Sequence, residues 1–174
     1  MKVESFKIKG WKKKETGLVI SENNDWILIK SIPVDYVIDG YKLFQKKFIK
    51  RRETNENEIK IARVLKLKNI ENTEPNNFKF GKVIENLKWC EDTYGIFEFQ
   101  DMNEKELFYG KINRIKKNKF IIDMVLSDGK IEKEYDYEFS LNKIRVITFE
   151  TDYFESIKLL MQDELKNSEM IKHK

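Results

Sequence analysis

Residues Trp26–Thr54, WILIKSIPVDYVIDGYKLFQKKFIKRRET, decide the fold that we predict for this chain. The apolar run Trp26–Ile29 is typical of a short buried strand. The pair Asp39-Gly40 predicts a two-residue type I′ hairpin turn, because that turn needs positive φ at both central residues. Asn55, followed three residues later by Glu58, predicts a capping box and therefore the start of a helix.

The same order of elements returns later in the chain, in residues Phe120–Thr151. In each copy an Asp-Gly turn separates two predicted strands, and a polar helix start follows the last strand. The sequence therefore predicts an internal duplication, even though the two copies share few identical residues. In the second copy we predict strands at Phe120–Leu126, Ile131–Phe139 and Ile144–Phe149, with a turn at Asp128-Gly129.

The remaining segments complete two similar halves. Alternating or short apolar runs predict strands at residues 4–9, 15–21, 95–100 and 107–115. Apolar residues at helical spacing predict helices at residues 55–68, 80–90 and 152–166. The polar segment 69–79 contains Pro75 and predicts a linker. We thus expect a first small β-barrel with its helix in residues 1–68, a second in 80–166, and a flexible tail in 167–174.

Five short antiparallel strands in a strongly bent sheet are typical of small SH3-like and Sm-like barrels. The segment Phe108–Leu160, with Tyr109-Gly110 and Thr151-Asp152-Tyr153, resembles bacterial proteins of unassigned function that contain tandem small barrels of this type. Asp35–Lys50 resembles the Asp-Gly-Tyr hairpin of the same proteins. The resemblance implies a mainly β, α+β chain of two tandem SH3/Sm-like barrels, each followed by a helix. Its motifs are structural and imply no particular activity.

The composition indicates a globular chain in a reducing compartment. Its 174 residues are 40% apolar and include a single cysteine, Cys90, so no internal disulfide framework is expected. The start MKVESFKIKG lacks the apolar stretch of a signal peptide, and no apolar run has membrane-spanning length. We therefore expect a cytoplasmic protein without a membrane partner.

The charge is uneven along the chain. Residues 1–70 carry 17 Lys and Arg against 9 Asp and Glu, a net charge of +8, whereas residues 71–174 carry a net charge of −4. A run of cations near Trp11, Trp26, Tyr36 and Tyr41 predicts an anion- or nucleic-acid-binding patch, because lysine and arginine neutralise phosphates and aromatic rings stack on bases. The alternative is an ordinary solvated surface. The candidate cations are Lys12, Lys13, Lys14, Lys46, Lys47, Lys50, Arg51 and Arg52.

Most kinds of catalytic and metal site are not expected. The only histidine is His173, beside the C-terminus, and Cys90 lies on the apolar face of a predicted helix, where a buried thiol is expected. No glycine-rich phosphate loop is present. The most concentrated carboxylates alternate with apolar residues, which predicts the solvent face of a strand rather than an acid–base pair. These carboxylates are Glu132, Glu134, Asp136 and Glu138; Asp35 and Asp39 stand apart in the first half.

These observations predict a non-catalytic intracellular binding or regulatory protein with no catalytic residues, cofactor or metal. Its partner is expected to be another protein or a second copy of itself, since small barrels offer short edges and loops for recognition. Two alternatives stay open. One is a protein that binds single-stranded RNA or DNA through the basic first half. The other captures a small anionic ligand, such as a nucleotide, between its halves or subunits.

Overall fold

The computed structural model describes residues 1–172 and contains eleven strands and three helices. His173 lies outside the described residues. The helices are α1 (Glu56–Leu67), α2 (Val83–Tyr94) and α3 (Asp152–Lys172). The strands are β1 (Lys2–Ile8), β2 (Lys14–Glu22), β3 (Trp26–Ser31), β4 (Tyr41–Gln45), β5 (Ile49–Glu53), β6 (Phe97–Gln100), β7 (Phe108–Lys116), β8 (Lys119–Val125), β9 (Ile131–Glu132), β10 (Phe139–Ser140) and β11 (Val146–Phe149).

All the strands belong to one open antiparallel sheet, so the predicted mainly β, α+β class is confirmed. The strand order is β10-β8-β7-β6-β11-β4-β3-β2-β1-β5, and β9 also pairs with β8. Strand β11 pairs with β6 of its own half and with β4 of the first half. The sheet is therefore continuous from one half of the chain to the other. No described helix is both long enough and apolar enough to cross a membrane.

The two halves pair their strands in the same order. The last strand of each half lies beside the first, giving β5-β1-β2-β3-β4 and β11-β6-β7-β8-β10. A short 3₁₀-helix precedes each last strand, at Lys46–Phe48 and at Leu141–Lys143. The second strand of each half has a break in pairing three residues after a glycine, at Ile20 after Gly17 and at Asn113 after Gly110.

The largest apolar cluster contains residues from both halves. Leu28 and Leu43 of the first half pack in the same cluster as Phe97, Phe99 and other aromatic residues of the second half. The predicted linker, residues 69–79, has no helix or strand. Its Phe78 is nevertheless buried, with its ring centroid 5.0 Å from that of Trp89. A smaller cluster inside the first half includes Phe6, Ile27 and Phe44, together with Val146 of the second half.

The predicted capping box at the start of α1 is confirmed. The backbone N–H of Asn55 donates to the Glu58 carboxylate at 2.8 Å. The same carboxylate accepts a hydrogen bond from the Ser5 hydroxyl at 2.7 Å, so it also anchors α1 on β1. At the start of α3, the Thr151 hydroxyl accepts the backbone N–H of Phe154 at 3.1 Å. Polar residues thus begin both helices, as the two copies predict.

The predicted two-residue turn at Asp39-Gly40 is wrong. Strands β3 and β4 are joined by residues 32–40, which bend through an isolated bridge between Val34 and Val37. Asp35 has φ of +44°, and Gly40 has φ of +61°. A wide connection forms because Asp39 and Gly40 contact the other half. The Asp39 carboxylate accepts the backbone N–H of Asp152 at 2.8 Å, an interaction that no local pattern encodes.

Three other predicted boundaries are also wrong. The strand expected at Ile131–Phe139 is reduced to the two-residue strands β9 and β10, since Glu134 adopts a φ of +51° and interrupts it. Helix α2 is shifted relative to residues 80–90 and ends at Tyr94, followed by Gly95 with a φ of +82°. Helix α3 continues six residues beyond the predicted end at Lys166.

Candidate anion-binding surface

Five of the eight candidate cations lie together at one end of the first half. They come from the β1–β2 connection, the start of β2 and the start of β5. Lys7 on β1 and Lys9 just after it lie in the same region. Lys7 is partly exposed and the other six are exposed. We call this surface the basic end. Its members are Lys7, Lys9, Lys12, Lys13, Lys14, Lys50 and Arg51.

Strand register brings these side chains onto one face. Lys7 on β1 lies directly opposite Lys14 on β2 and opposite Arg51 on β5. Directly opposed residues in an antiparallel sheet project to the same side. The pairing between β1 and β5 skips Lys50, which leaves that residue outside the ladder as a bulge. Lys14, Lys7 and Arg51 therefore form a row across three adjacent strands. This row lies on the side of the sheet opposite to the buried Phe6.

The second half holds the loop that carries Lys12 and Lys13. The Glu104 carboxylate, in the β6–β7 connection, accepts the backbone N–H groups of Lys12 and Lys13 at 2.7 and 3.1 Å. These hydrogen bonds lower the pKa of Glu104. The Lys7 amino group also donates to the Lys12 carbonyl at 2.5 Å. The loop is thus fixed through its backbone, while the side chains of Lys12 and Lys13 stay exposed.

One carboxylate neutralises part of the basic end. Glu53 forms ion pairs with Lys14 and with Arg51. The hydrogen bond from Lys14 and the nearby charge of Arg51 lower the pKa of Glu53. With Glu104, and with Glu58, on which the charge of Lys14 also acts, this gives three carboxylates beside seven cations. The basic end therefore keeps a clear excess of positive charge.

The other three candidate cations are not part of this surface. Arg52 donates to Glu4, which is buried, at 2.9 Å and to Glu22 at 2.8 Å, and Lys46 contacts Glu22 at 2.5 Å. These hydrogen bonds lower the pKa of Glu22 to about 2. Lys46 and Arg52 therefore stabilise the fold. Lys47 lines a cleft between the two halves.

The aromatic residues expected to stack on bases are mostly inside the protein. Trp11 and Trp26 are each 3% exposed, and Tyr41 is 9% exposed. Tyr36 is exposed, but it lies in the β3–β4 connection beside α1. The basic end can therefore contact phosphate groups but offers none of these four rings as a stacking platform.

The groups considered for catalysis are dispersed or buried. Cys90 is 1% exposed, as predicted, and burial raises the pKa of its thiol well above the usual value. Glu132, Glu134, Asp136 and Glu138 are all exposed, as predicted, although they do not lie on a continuous strand. Within residues 1–172, no three His, Cys, Asp or Glu residues form a group that could hold a metal.

One buried carboxylate was not singled out from the sequence. Glu98, on β6, accepts a hydrogen bond from the Tyr109 hydroxyl at 2.6 Å. Burial raises the pKa of Glu98 to about 7, although the Tyr109 hydrogen bond and the charge of Lys42 oppose this shift. The segment IFEFQ signals a strand with Glu98 on one face, but both faces prove to be buried, which only the neighbouring strands determine.

Lys7 and Lys9 were also missed. They alternate with Phe6 and Ile8 on a predicted strand, so their outward orientation could have been found from the sequence. Their approach to Arg51 could not, because it depends on the pairing of β1 with β5. No family model, curated protein or solved structure matches this chain. Its function has to be inferred from its own residues.

Proposed function

We propose that this chain is a non-catalytic binding protein whose basic end holds a polyanion, and that the polyanion is a nucleic acid. The observation that carries the proposal is the register that places Lys7, Lys14 and Arg51 side by side. Neighbouring strands lie about 4.8 Å apart, so these cations form a short row rather than a scatter of charges. A row of fixed cations favours a ligand with several phosphates.

The proposed contacts are to the phosphate backbone. Phosphate contacts provide affinity and orientation but do not read sequence. Since Trp11, Trp26 and Tyr41 are buried, the preference for single strands that base stacking would supply is not expected. We therefore expect single-stranded and duplex nucleic acids to bind with similar, strongly salt-dependent affinities.

The proposed architecture behind this surface is a tandem pair of SH3/Sm-like units, each followed by a helix. The shared strand order, the 3₁₀-helix before each last strand and the matching breaks after Gly17 and Gly110 support it. In the first unit, the β1–β2 loop and the start of β5 form the basic end. In the second unit, the corresponding strands are β6, β7 and β11, which lie inside the continuous sheet.

A protein partner and a cytoplasmic location stay predictions. The large exposed apolar side chains of α3 include Leu159, Leu160 and Leu165. Successive helical positions are about 100° apart, so these leucines point in different directions and form no single stripe. Among the acidic residues of the second half, Glu138 is neutralised by contacts with Lys116 and Lys119.

The first test is binding of a fluorescein-labelled oligo-dT and a duplex, each of about 20 nucleotides, followed by anisotropy over a salt series. A triple variant, Lys12→Glu, Lys13→Glu and Arg51→Glu, should bind at least about tenfold more weakly. Its log–log salt dependence should also be shallower, by about one unit for each phosphate that the variant no longer neutralises.

The matched control carries the same charge change elsewhere. Lys60, Lys88 and Lys166 are exposed, lie on the three helices and are not members of the basic end. Their triple replacement by Glu should leave most of the affinity intact. If both triple variants lost affinity equally, the loss would depend on net charge and not on the basic end, and the proposal would be overturned. Binding that does not respond to salt would also overturn it.

A further inference from the structure

A cleft of about 960 Å³ opens where the two halves meet. Corresponding elements of the two halves line it. The first half contributes the β2–β3 turn and the first 3₁₀-helix, and the second half contributes the β7–β8 turn, the second 3₁₀-helix and the start of α2. This volume lies in the range that accommodates a small organic ligand.

Three lysines from separate elements line the cleft. They are Lys47 in the first 3₁₀-helix, Lys82 just before α2, and Lys117 in the β7–β8 turn. Among the described residues, none of their amino groups forms an ion pair with a carboxylate. The Lys47 amino group instead lies 5.0 Å from the centre of the Phe48 ring. Three lysines without a carboxylate partner along one cavity favour an anionic ligand.

The conformation of Lys117 adds an independent observation. Strands β7 and β8 are joined by only Lys117 and Asn118, and Lys117 has a φ of +48°. A two-residue hairpin with positive φ at its first position strongly favours glycine there. A lysine costs stability at this position, and strained residues concentrate at functional sites. Lys117 is exposed, and a ligand in the cleft would give its amino group a partner.

The rest of the lining suggests what else the ligand carries. Phe80 and Leu141 are partly buried and give the wall an apolar part. The exposed amides of Asn118 and Asn142 offer hydrogen bonds. Two carboxylates, Asp25 and Glu85, also line the cleft, but Glu85 is engaged at the start of α2, where it accepts the Lys82 backbone N–H at 2.6 Å.

We infer that the cleft between the halves binds a small phosphorylated molecule with a flat or apolar portion, of which a nucleotide is the simplest kind. Lys47, Lys82 and Lys117 would hold the phosphates, and the Phe80 side of the cleft would take the apolar portion. The inference is independent of the polyanion proposal, because the cleft and the basic end share no residue.

The test uses ADP, adenosine and inorganic phosphate as probes, with thermal melting and calorimetry as readouts. At millimolar concentration ADP should raise the melting temperature of the native chain, and it should do so more than either adenosine or phosphate alone. Replacing Lys47 by Ala should weaken ADP binding about tenfold, as expected when one charge-assisted hydrogen bond to a phosphate is removed. Replacing Lys143 by Ala, an exposed lysine of the second 3₁₀-helix outside the lining, should not.

The decisive variant is Lys117→Gly. Because glycine adopts positive φ freely, this variant should melt at a higher temperature than the native chain without ligand. It should nevertheless bind ADP about tenfold more weakly. If Lys117 had only a structural role, the variant would gain stability without losing affinity for ADP. The inference is overturned if ADP produces no melting shift in the native chain, or if Lys117→Gly binds ADP unchanged.

Discussion

At the scale of single residues, the same side-chain type has different roles according to what the fold places beside it. Arg51 and Arg52 are adjacent in the sequence, yet Arg51 belongs to the exposed row of the basic end, where it contacts Glu53, and Arg52 is held on the other face by Glu4 and Glu22. Alternation along β5 explains the difference, because neighbouring residues on a strand point to opposite faces.

Glu98 gives a prediction of pH dependence. Its pKa in the folded chain is raised from 4.5 to about 7, mainly by burial, so the folded state favours the protonated form. The stability associated with that proton is fully present below pH 4.5 and is lost as pH rises through about 7. A Glu98→Gln variant keeps an uncharged acceptor for Tyr109 and should gain stability relative to the native chain as pH rises, with an upper bound of about 3 kcal/mol.

Urea unfolding at several pH values measures this difference in the free energy of unfolding. Tyr109 should be retained in both proteins, so that its hydrogen bond to residue 98 is kept in both. The comparison with the Gln variant removes the contribution of other titrating groups, which both proteins share. A difference in unfolding free energy that stays constant between pH 5 and 8 would contradict the assigned pKa of about 7.

At the scale of elements, the β3–β4 connection shows how contacts between the halves override local turn preference. Gly40 lies against the chain where β11 ends and α3 begins. A Cβ atom added at Gly40 would lie 2.4 Å from the Thr151 nitrogen and 2.6 Å from the Phe149 carbonyl oxygen. The glycine is needed there for close approach as well as for its positive φ.

Gly40→Ala and Gly95→Ala form a matched pair. Both glycines have positive φ, but an added Cβ at Gly95 would meet nothing within 4 Å. Gly95→Ala should therefore cost only the conformational term, about 1 kcal/mol. Gly40→Ala should cost a further 1–3 kcal/mol or so, because backbone atoms must move. The free energies of unfolding in urea give both values, and equal costs would argue against close packing at Gly40.

At the scale of the whole molecule, β11 joins the two halves. Val146 lies opposite Phe44 on one side and opposite Gln100 on the other. The Gln45 side chain donates to the Ile144 carbonyl at 2.6 Å, and the buried Arg145 guanidinium lies 5.3 Å from the centre of the Phe48 ring. Hydrogen bonds, apolar packing and a cation–π contact thus all cross the boundary between the halves.

We therefore expect the chain to unfold as one cooperative unit. Far-UV circular dichroism and tryptophan fluorescence should give the same midpoint, since Trp11 and Trp26 report on the first half and Trp89 on the second. Val146→Ala removes buried apolar atoms at the boundary and should lower stability by about 2 kcal/mol without splitting the transition. Two separated transitions in the native chain would show that the halves unfold independently.

The sequence by itself determined the mainly β, α+β class, the start of α1 and the buried thiol. These features follow from local causes. Apolar runs favour strands, Asn55 and Glu58 satisfy free N–H groups at a helix start, and Cys90 lies on an apolar helix face. The repeated order of elements was also visible, because it needs only the succession of patterns along the chain.

Only the tertiary structure decided which charges belong together. Pairing of β1 with β5 places Lys7 beside Arg51, whereas Lys46 and Arg52 contact Glu22 and Glu4 on a different part of the surface. The β3–β4 connection, the burial of Glu98 and the inter-half cleft likewise depend on the pairing of β4 with β11 and on the strands flanking β6. The physical reason is that the local sequence determines where a strand forms and which of its side chains share a face. The neighbours of each strand in the sheet depend instead on contacts between residues that are distant in sequence.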